Sequence, residues 1–239
     1  MEKDNIYIVM PAYNEEETIL DVVAQWHRTA LDIQASGADV TLMIANDGSN
    51  DNTMAILNSL TEKYPLLVPI DKPNSGHGPT LFYLYGEAIN RGADFIFQTD
   101  SDGQTDPSEI WPMWEQRHSY DFQIGHRSHR KDGRGRIFAA KVLKLVVRAT
   151  FGVNVIDANA PFRLMRASAL KSIMEVIPQD FFLTNVAISA IAVKKGLRCR
   201  WIPITFRQRQ GGVNSINIKR IFMIGYKAIG ELHDINKNI

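Results

Sequence analysis

Cysteine is nearly missing from the 239 residues: Cys199 stands alone. Neither an internal disulfide framework nor a zinc site built on paired thiolates is open to such a chain, and a single thiol fits a reducing compartment. Long apolar runs are missing too, and none reaches the ~18 residues that a membrane-spanning helix needs. The acidic opening Met1–Asn5 has neither the basic flank nor the apolar core of a secretory leader. Together these absences predict a soluble, cytoplasmic protein that can still touch a membrane face from outside. Repeats, low-complexity tracts and Pro/Gly/Ser linkers are also lacking, so residues 1–239 read as one continuous domain.

What is present is ordinary in bulk and uneven in distribution. Apolar residues make up 45% and charged residues 22% of the chain, which excludes a disordered polymer. The formal charge is +1, yet residues 1–126 carry 6 Lys/Arg against 20 Asp/Glu, and residues 127–239 carry 21 against 6. The first half thus suits a cation and the second an anion.

Short apolar runs alternate with amphipathic segments in the first half, the signature of βαβ units in an α/β fold. Strands are predicted at 6–10, 40–45, 66–70 and 94–99, with helices after 14, at 54–60 and at 80–90. Asn14 and Glu17 have the spacing of a capping box, and Asp106-Pro107 marks another helix start. The second half predicts strands at 121–125 and 198–206, and helices at 136–150, 166–177, 184–195 and 216–232.

Three strand ends carry polar clusters: Pro11-Ala12-Tyr13-Asn14-Glu15, Asn46-Asp47-Gly48-Ser49 and Asp100-Ser101-Asp102-Gly103-Gln104. Ligands of open parallel sheets bind beyond such ends. Tyr13 alone reads as a packed aromatic, and Asn46–Ser49 alone as a turn. Asp100 and Asp102 are sharper, because two carboxylates one residue apart repel unless a cation lies between them. Mg²⁺ or Mn²⁺ takes such oxygen ligands together with substrate phosphates, and Gln104 offers a further amide oxygen.

Read together, V-M-P-A-Y-N-E-E at 9–16, N-D-G-S-N-D-N-T at 46–53 and D-S-D-G-Q at 100–104 resemble the inverting glycosyltransferases of family 2. Asp157 followed by Phe162-Arg163-Leu164, and the segment 207–215, extend the resemblance over nearly the whole chain. Within the family it resembles the polyprenyl-phosphate sugar transferases of the dolichyl-phosphate mannose synthase type. The resemblance implies an α/β nucleotide-diphospho-sugar transferase (GT-A, Rossmann-like) fold with a central, mostly parallel sheet. It assigns the donor to Pro11, Tyr13, Asn14, Glu15, Asn46, Asp47, Gly76, Asp100, Ser101 and Asp102, and the metal to Asp100, Asp102 and Gln104. Gly76 enters through Asn74–Thr80, which fits the family's glycine-containing loop before a helix; His77 in that loop reads as a loop residue. The family usually has Asp where this chain has Asn46, so the base being read stays open.

Residues 127–148 hold eight basic side chains against one acid, Asp132, and Lys141, Lys144 and Arg148 share one helix face. An anionic partner is implied: donor diphosphate, acceptor phosphate or anionic lipid, the last attracted by ~1 kcal/mol per near-surface charge. Nucleic acid is disfavoured by the acidic half and the lack of any recognition motif. The resemblance places the acceptor at Arg127, Lys141 (where the family has Arg) and Arg163. Asp157 is the acceptor-side carboxylate or, as a purely structural group, the salt-bridge partner of Arg163 or Arg166. Arg209, in a segment resembling the family's mobile Arg-Gly-Gly-Ser lid, would balance leaving-group charge. The terminal helix is expected to dock on the domain or meet a membrane interface, docking being favoured.

The expected activity is metal-dependent transfer of a sugar, with inversion, from a UDP- or GDP-linked donor to a polyprenyl phosphate at a cytoplasmic membrane face. Asp102, Asp157 and Arg209 would serve the reaction. The alternatives are transfer to a saccharide hydroxyl, and a non-catalytic nucleotide-sugar-binding module.

Overall fold

The computed structural model describes residues 3–127, 134–207 and 229–239, with only the backbone of 134–139. Seven strands form one sheet: β1 (Asn5–Ala12), β2 (Asp39–Asp47), β3 (Leu67–Lys72), β4 (Phe95–Thr99), β5 (Phe122–Arg127), β6 (Phe162–Arg166) and β7 (Cys199–Ile204). Their order is β3-β2-β1-β4-β6-β5-β7. All run parallel except β6, which lies antiparallel between β4 and β5.

Helices cover both faces, so the central strands are apolar on alternate and intervening positions alike. Ile6, Ile8 and Met10 of β1 meet α1 (Ile19–Ala35), α2 (Thr53–Leu60) and the short α4 (Trp111–Trp114). Tyr7 and Val9 face the layer of α3 (His77–Asn90), α5 (Arg134–Phe151), α6 (Ala167–Met174) and α7 (Thr184–Lys194). α7 is buried at every position from Thr184 to Ala192, which makes it an interior helix rather than an amphipathic one. Gly78 lets α3 approach residues 181–182: a Cβ there would stand 2.4 Å from the Phe182 carbonyl oxygen.

One expectation is corrected and one strand is added. The box at Asn14 and Glu17 does not form, because Asn14 takes a left-handed conformation (φ 53°) and the helix begins only at Ile19. The helix expected over 166–177 is present as Ala167–Met174, and directly before it lies a strand that was not expected, Phe162–Arg166, which pairs on both sides within the sheet. Of the terminal helix, residues 229–237 are helical and Leu232 and Ile235 are buried in the core, whereas Ile229 is exposed. Positions 216–228 lie outside the described residues.

Candidate functional site

After β1 the chain moves outward to β2 and β3, then returns to place β4 on the other side of β1. The crevice at the carboxyl ends of β1 and β4 is therefore a topological switch point, where open α/β sheets take their ligands. The three polar clusters meet there. Ser101 Oγ donates to the Pro11 carbonyl at 2.8 Å, fastening the loop after β4 to the end of β1. Asn14 N–H donates to Ser49 Oγ and Asn14 Oδ1 accepts from the N–H of Asn50, each at 2.9 Å. Glu15 N–H donates to Thr53 Oγ1 at 2.9 Å, and the Glu15 carboxylate, nearly buried, accepts from Thr18 Oγ1 at 3.0 Å. Tyr13 is 45% exposed, so the expected packed aromatic is instead a free ring face beside these loops.

Asp47 is buried and is held by Lys72 Nζ at 2.6 Å and by the N–H groups of Ser75 and Gly76 at 2.9 Å each. Burial pushes its carboxyl upward, but the hydrogen bonds and the Lys72 charge together outweigh that and hold it below the usual range. Asp47 thus shapes the loop entering α3, where Gly76 sits at φ 88°. Asn46 donates through Nδ2 to Asp71 Oδ1 at 2.7 Å. An aspartate at 46 would set two carboxylates against each other, which gives the departure from the family residue a physical reason.

Asp100 and Asp102 stand at the mouth of the crevice. Asp100 Oδ1 accepts from Gln98 Nε2 at 3.2 Å, and His77 Nε2 lies 3.9 Å from the same oxygen. Asp102 Oδ1 accepts from the Gln104 N–H at 3.1 Å. Gln104 is buried and its Nε2 donates to the Arg207 carbonyl at 2.7 Å, so it braces the chain after β7 against the carboxylate loop. Among the described residues no group of three or more His, Cys, Asp and Glu is arranged around a cation. Two hard oxygen donors at a strand end fit a divalent ion that draws its other ligands from phosphates and water.

On the far side of β4, Arg127 and Asp157 grip each other. Nε and Nη2 of Arg127 donate to Oδ2 and Oδ1 of Asp157, both at 2.8 Å, with each side chain only 10% exposed. Phe206 lies under the guanidinium at 5.2 Å. The structural partner expected for Asp157 was Arg163 or Arg166; it is Arg127, and Arg166 pairs with Asp121 instead. Arg163 as an acceptor-binding group is also corrected. It has 0% exposure, and its donors go to the carbonyls of Ala158, Ala160 and Asn185 and to Ser189 Oγ. No acceptor can reach it. Lys141 is exposed on α5, and Arg209 lies outside the described residues. Lys72, Gln98 and Asn185 were not singled out from sequence, and no local pattern marks them.

The profile of Glycosyl transferase family 2 matches residues 7–174 of the chain. The chain belongs to glycosyl transferase family 2. Its sheet and helices are those of the GT-A fold. This glycosyltransferase is 25% identical over 219 residues to a polyprenol monophosphomannose synthase of Mycolicibacterium smegmatis, covering 88% of this chain and 80% of that one. It is also 25% identical over 185 residues to an undecaprenyl-phosphate 4-deoxy-4-formamido-L-arabinose transferase of Pseudomonas paraeruginosa, covering 77% of this chain but only 53% of the relative. In fold it is similar to glucosyl-3-phosphoglycerate synthase of Mycobacterium tuberculosis, solved with Mn²⁺, UDP and glucosyl-3-phosphoglycerate. That likeness has a TM-score of 0.69 at 16% identity, over 98% of this chain and 80% of that one.

Proposed function

We propose that this glycosyltransferase moves a sugar, with inversion, from a nucleotide diphosphate to a polyprenyl phosphate at a membrane face. The Arg127–Asp157 pair carries the choice of acceptor. An attacking hydroxyl needs a base, whereas an ionised phosphate is already a nucleophile and needs only binding and aim. If Asp157 took a proton, it would lose a bidentate, nearly buried partner and leave the Arg127 charge unpaired, which is strongly unfavourable. Asp157 is therefore better suited to aiming Arg127 than to removing protons, and a guanidinium is well shaped to receive phosphate.

Asp100 and Asp102 would hold Mg²⁺ or Mn²⁺, which when bound supplies positive charge to the departing diphosphate. The loops at Pro11–Glu15 and Asn46–Ser49 would cradle the nucleoside, with Tyr13 offering its ring face, and Gly76 leaves room at the start of α3. Gln104 would place the carboxylate loop against residue 207, and Arg209 beyond it would meet leaving-group charge. A phosphate oxygen held by Arg127 and Lys141 would attack the anomeric carbon opposite the diphosphate, whose bond to that carbon breaks as the new one forms. The sequence relatives named for polyprenol and undecaprenyl phosphate support this acceptor class.

The test is incubation of the purified protein with a panel of UDP- and GDP-sugars, Mn²⁺ and a short-chain polyprenyl phosphate, against the matching free polyprenol and a saccharide. Transfer to the phosphate, abolished by chelator and absent with polyprenol, is the expected result. Anomeric configuration read by NMR should be opposite to that of the donor. Asp157→Asn should lower acceptor kcat/KM by about 10–100-fold without removing an acidic limb from the pH profile. Transfer to a hydroxyl with loss of that limb would assign Asp157 as a base, and nucleotide-sugar binding without any transfer would make the protein a sensor.

A further inference from the structure

Beneath the carboxylate loop runs a line of buried polar side chains that the donor loops and the Arg127–Asp157 pair do not themselves include. From Asp100, the line passes to Gln98, whose Oε1 accepts from Asn185 Nδ2 at 3.1 Å. Asn185 Oδ1 accepts from the Tyr85 hydroxyl at 2.9 Å. The backbone carbonyl of Asn185 accepts from Arg163 Nη1 at 3.2 Å and lies 2.8 Å from Ser189 Oγ. Arg163 and Ser189 then hold the backbone just after Asp157: Ser189 Oγ is 3.0 Å from the Ala158 carbonyl, and Arg163 Nη2 donates to Ala160 O at 2.8 Å.

Gln98, Arg163 and Ser189 are 0% exposed and Asn185 is 2% exposed. A polar group taken out of water at such depth is favourable only where its bonds are satisfied. Here all five N–H groups of Arg163 have acceptors, so the line is a fixed scaffold. Its two ends are the informative feature. One is the donor-side carboxylate and the other is the turn that presents Asp157 to Arg127.

We propose that Gln98, Asn185, Ser189 and Arg163 are positioning residues with two arms that share Asn185. Gln98 and the Asn185 side chain set the orientation of Asp100, while Ser189 and Arg163, bonded to the Asn185 carbonyl, set the 158–160 turn. This rests on the reading of Asp100 as donor-side and of Arg127–Asp157 as acceptor-side.

Asn185→Asp separates the arms, because it keeps an acceptor for Tyr85 and the same backbone carbonyl but replaces the Nδ2 donor to Gln98 with a carboxyl oxygen that, when ionised, cannot donate. The Kd of Mn²⁺ with UDP or GDP, by calorimetry, should rise at least five-fold while the KM for polyprenyl phosphate stays within two-fold. Ser189→Ala should do the reverse, raising acceptor KM at least three-fold with the nucleotide Kd within two-fold. Thermal melts report whether each variant is folded, and Gln98→Met replaces Asn185→Asp if the latter is not. Folded variants that leave both constants within two-fold, or that change both constants together, would overturn the proposal alone. Failure of the parent protein to bind Mn²⁺ with either nucleotide would overturn the functional reading, and this proposal with it.

Discussion

Lys72 Nζ and two backbone N–H groups converge on the Asp47 carboxylate, and the consequence is a pH dependence whose sign is fixed. A carboxyl held lower in the folded chain than in the unfolded one adds stability above its ordinary pKa, near ~3.9, and that stability is lost as pH falls through the lower folded value. Asp51, Asp106 and Asp121 shift in the same direction, each held down by hydrogen bonds to its neighbours. Urea midpoints measured from pH 6 to pH 2 should therefore fall below about pH 4. Asp47→Asn should flatten that fall while costing about 3 kcal/mol at pH 7, since it leaves the nearly buried Lys72 charge without its partner.

At the scale of elements, the loops after β1 and β2 behave as one unit. Asn14 joins them through both its backbone N–H and its side-chain oxygen, from a left-handed conformation that asparagine and glycine tolerate better than other residues. Comparing two variants separates the contributions. Asn14→Gly keeps the backbone freedom and loses only the bond to Asn50, so a cost of about 1 kcal/mol is expected. Asn14→Ala loses the bond and adds left-handed strain, bringing the cost to about 2–3 kcal/mol in chemical denaturation. The ends of β1, β2 and β4 were legible in the sequence because each is a strand followed within a few residues by its own polar cluster. The pairing of Arg127 with Asp157 across 30 residues was not, nor was the burial of Arg163, which depends on the Asn185 carbonyl and the Ser189 hydroxyl of a helix beginning only at Thr184. β6 escaped for a related reason: five residues with two arginines carry no strand pattern until neighbours on both sides supply the hydrogen bonds.

For the whole molecule, the acid-rich first half supplies one end of the sheet, β3-β2-β1-β4, and the base-rich second half supplies β6 and β7 at the other, where β5, which closes the first half, lies between them. On α5, Lys141, Lys144 and Arg148 are exposed together with Leu145, which is 67% exposed. No described helix is long and apolar enough to cross a membrane. A basic face with a projecting apolar group suits contact with an anionic lipid surface. Co-sedimentation with vesicles containing phosphatidylglycerol should be strong at low salt, weaken about ten-fold or more near 0.5 M salt as screening shortens to a few ångströms, and fall in a Lys141→Ala/Lys144→Ala/Arg148→Ala variant. Binding unchanged by salt or by these substitutions would exclude the face.

The reversed strand has a last consequence, for the order in which the molecule can be completed. Among the described residues β5 pairs only with β6 and β7, and both are made after it on the ribosome. Until residue 166 has emerged, β4 and β5 each present an unclosed border, a hazard for mispairing between nascent chains. A fragment ending before Phe162 would carry all three polar loops and still be an unfinished, adhesive sheet.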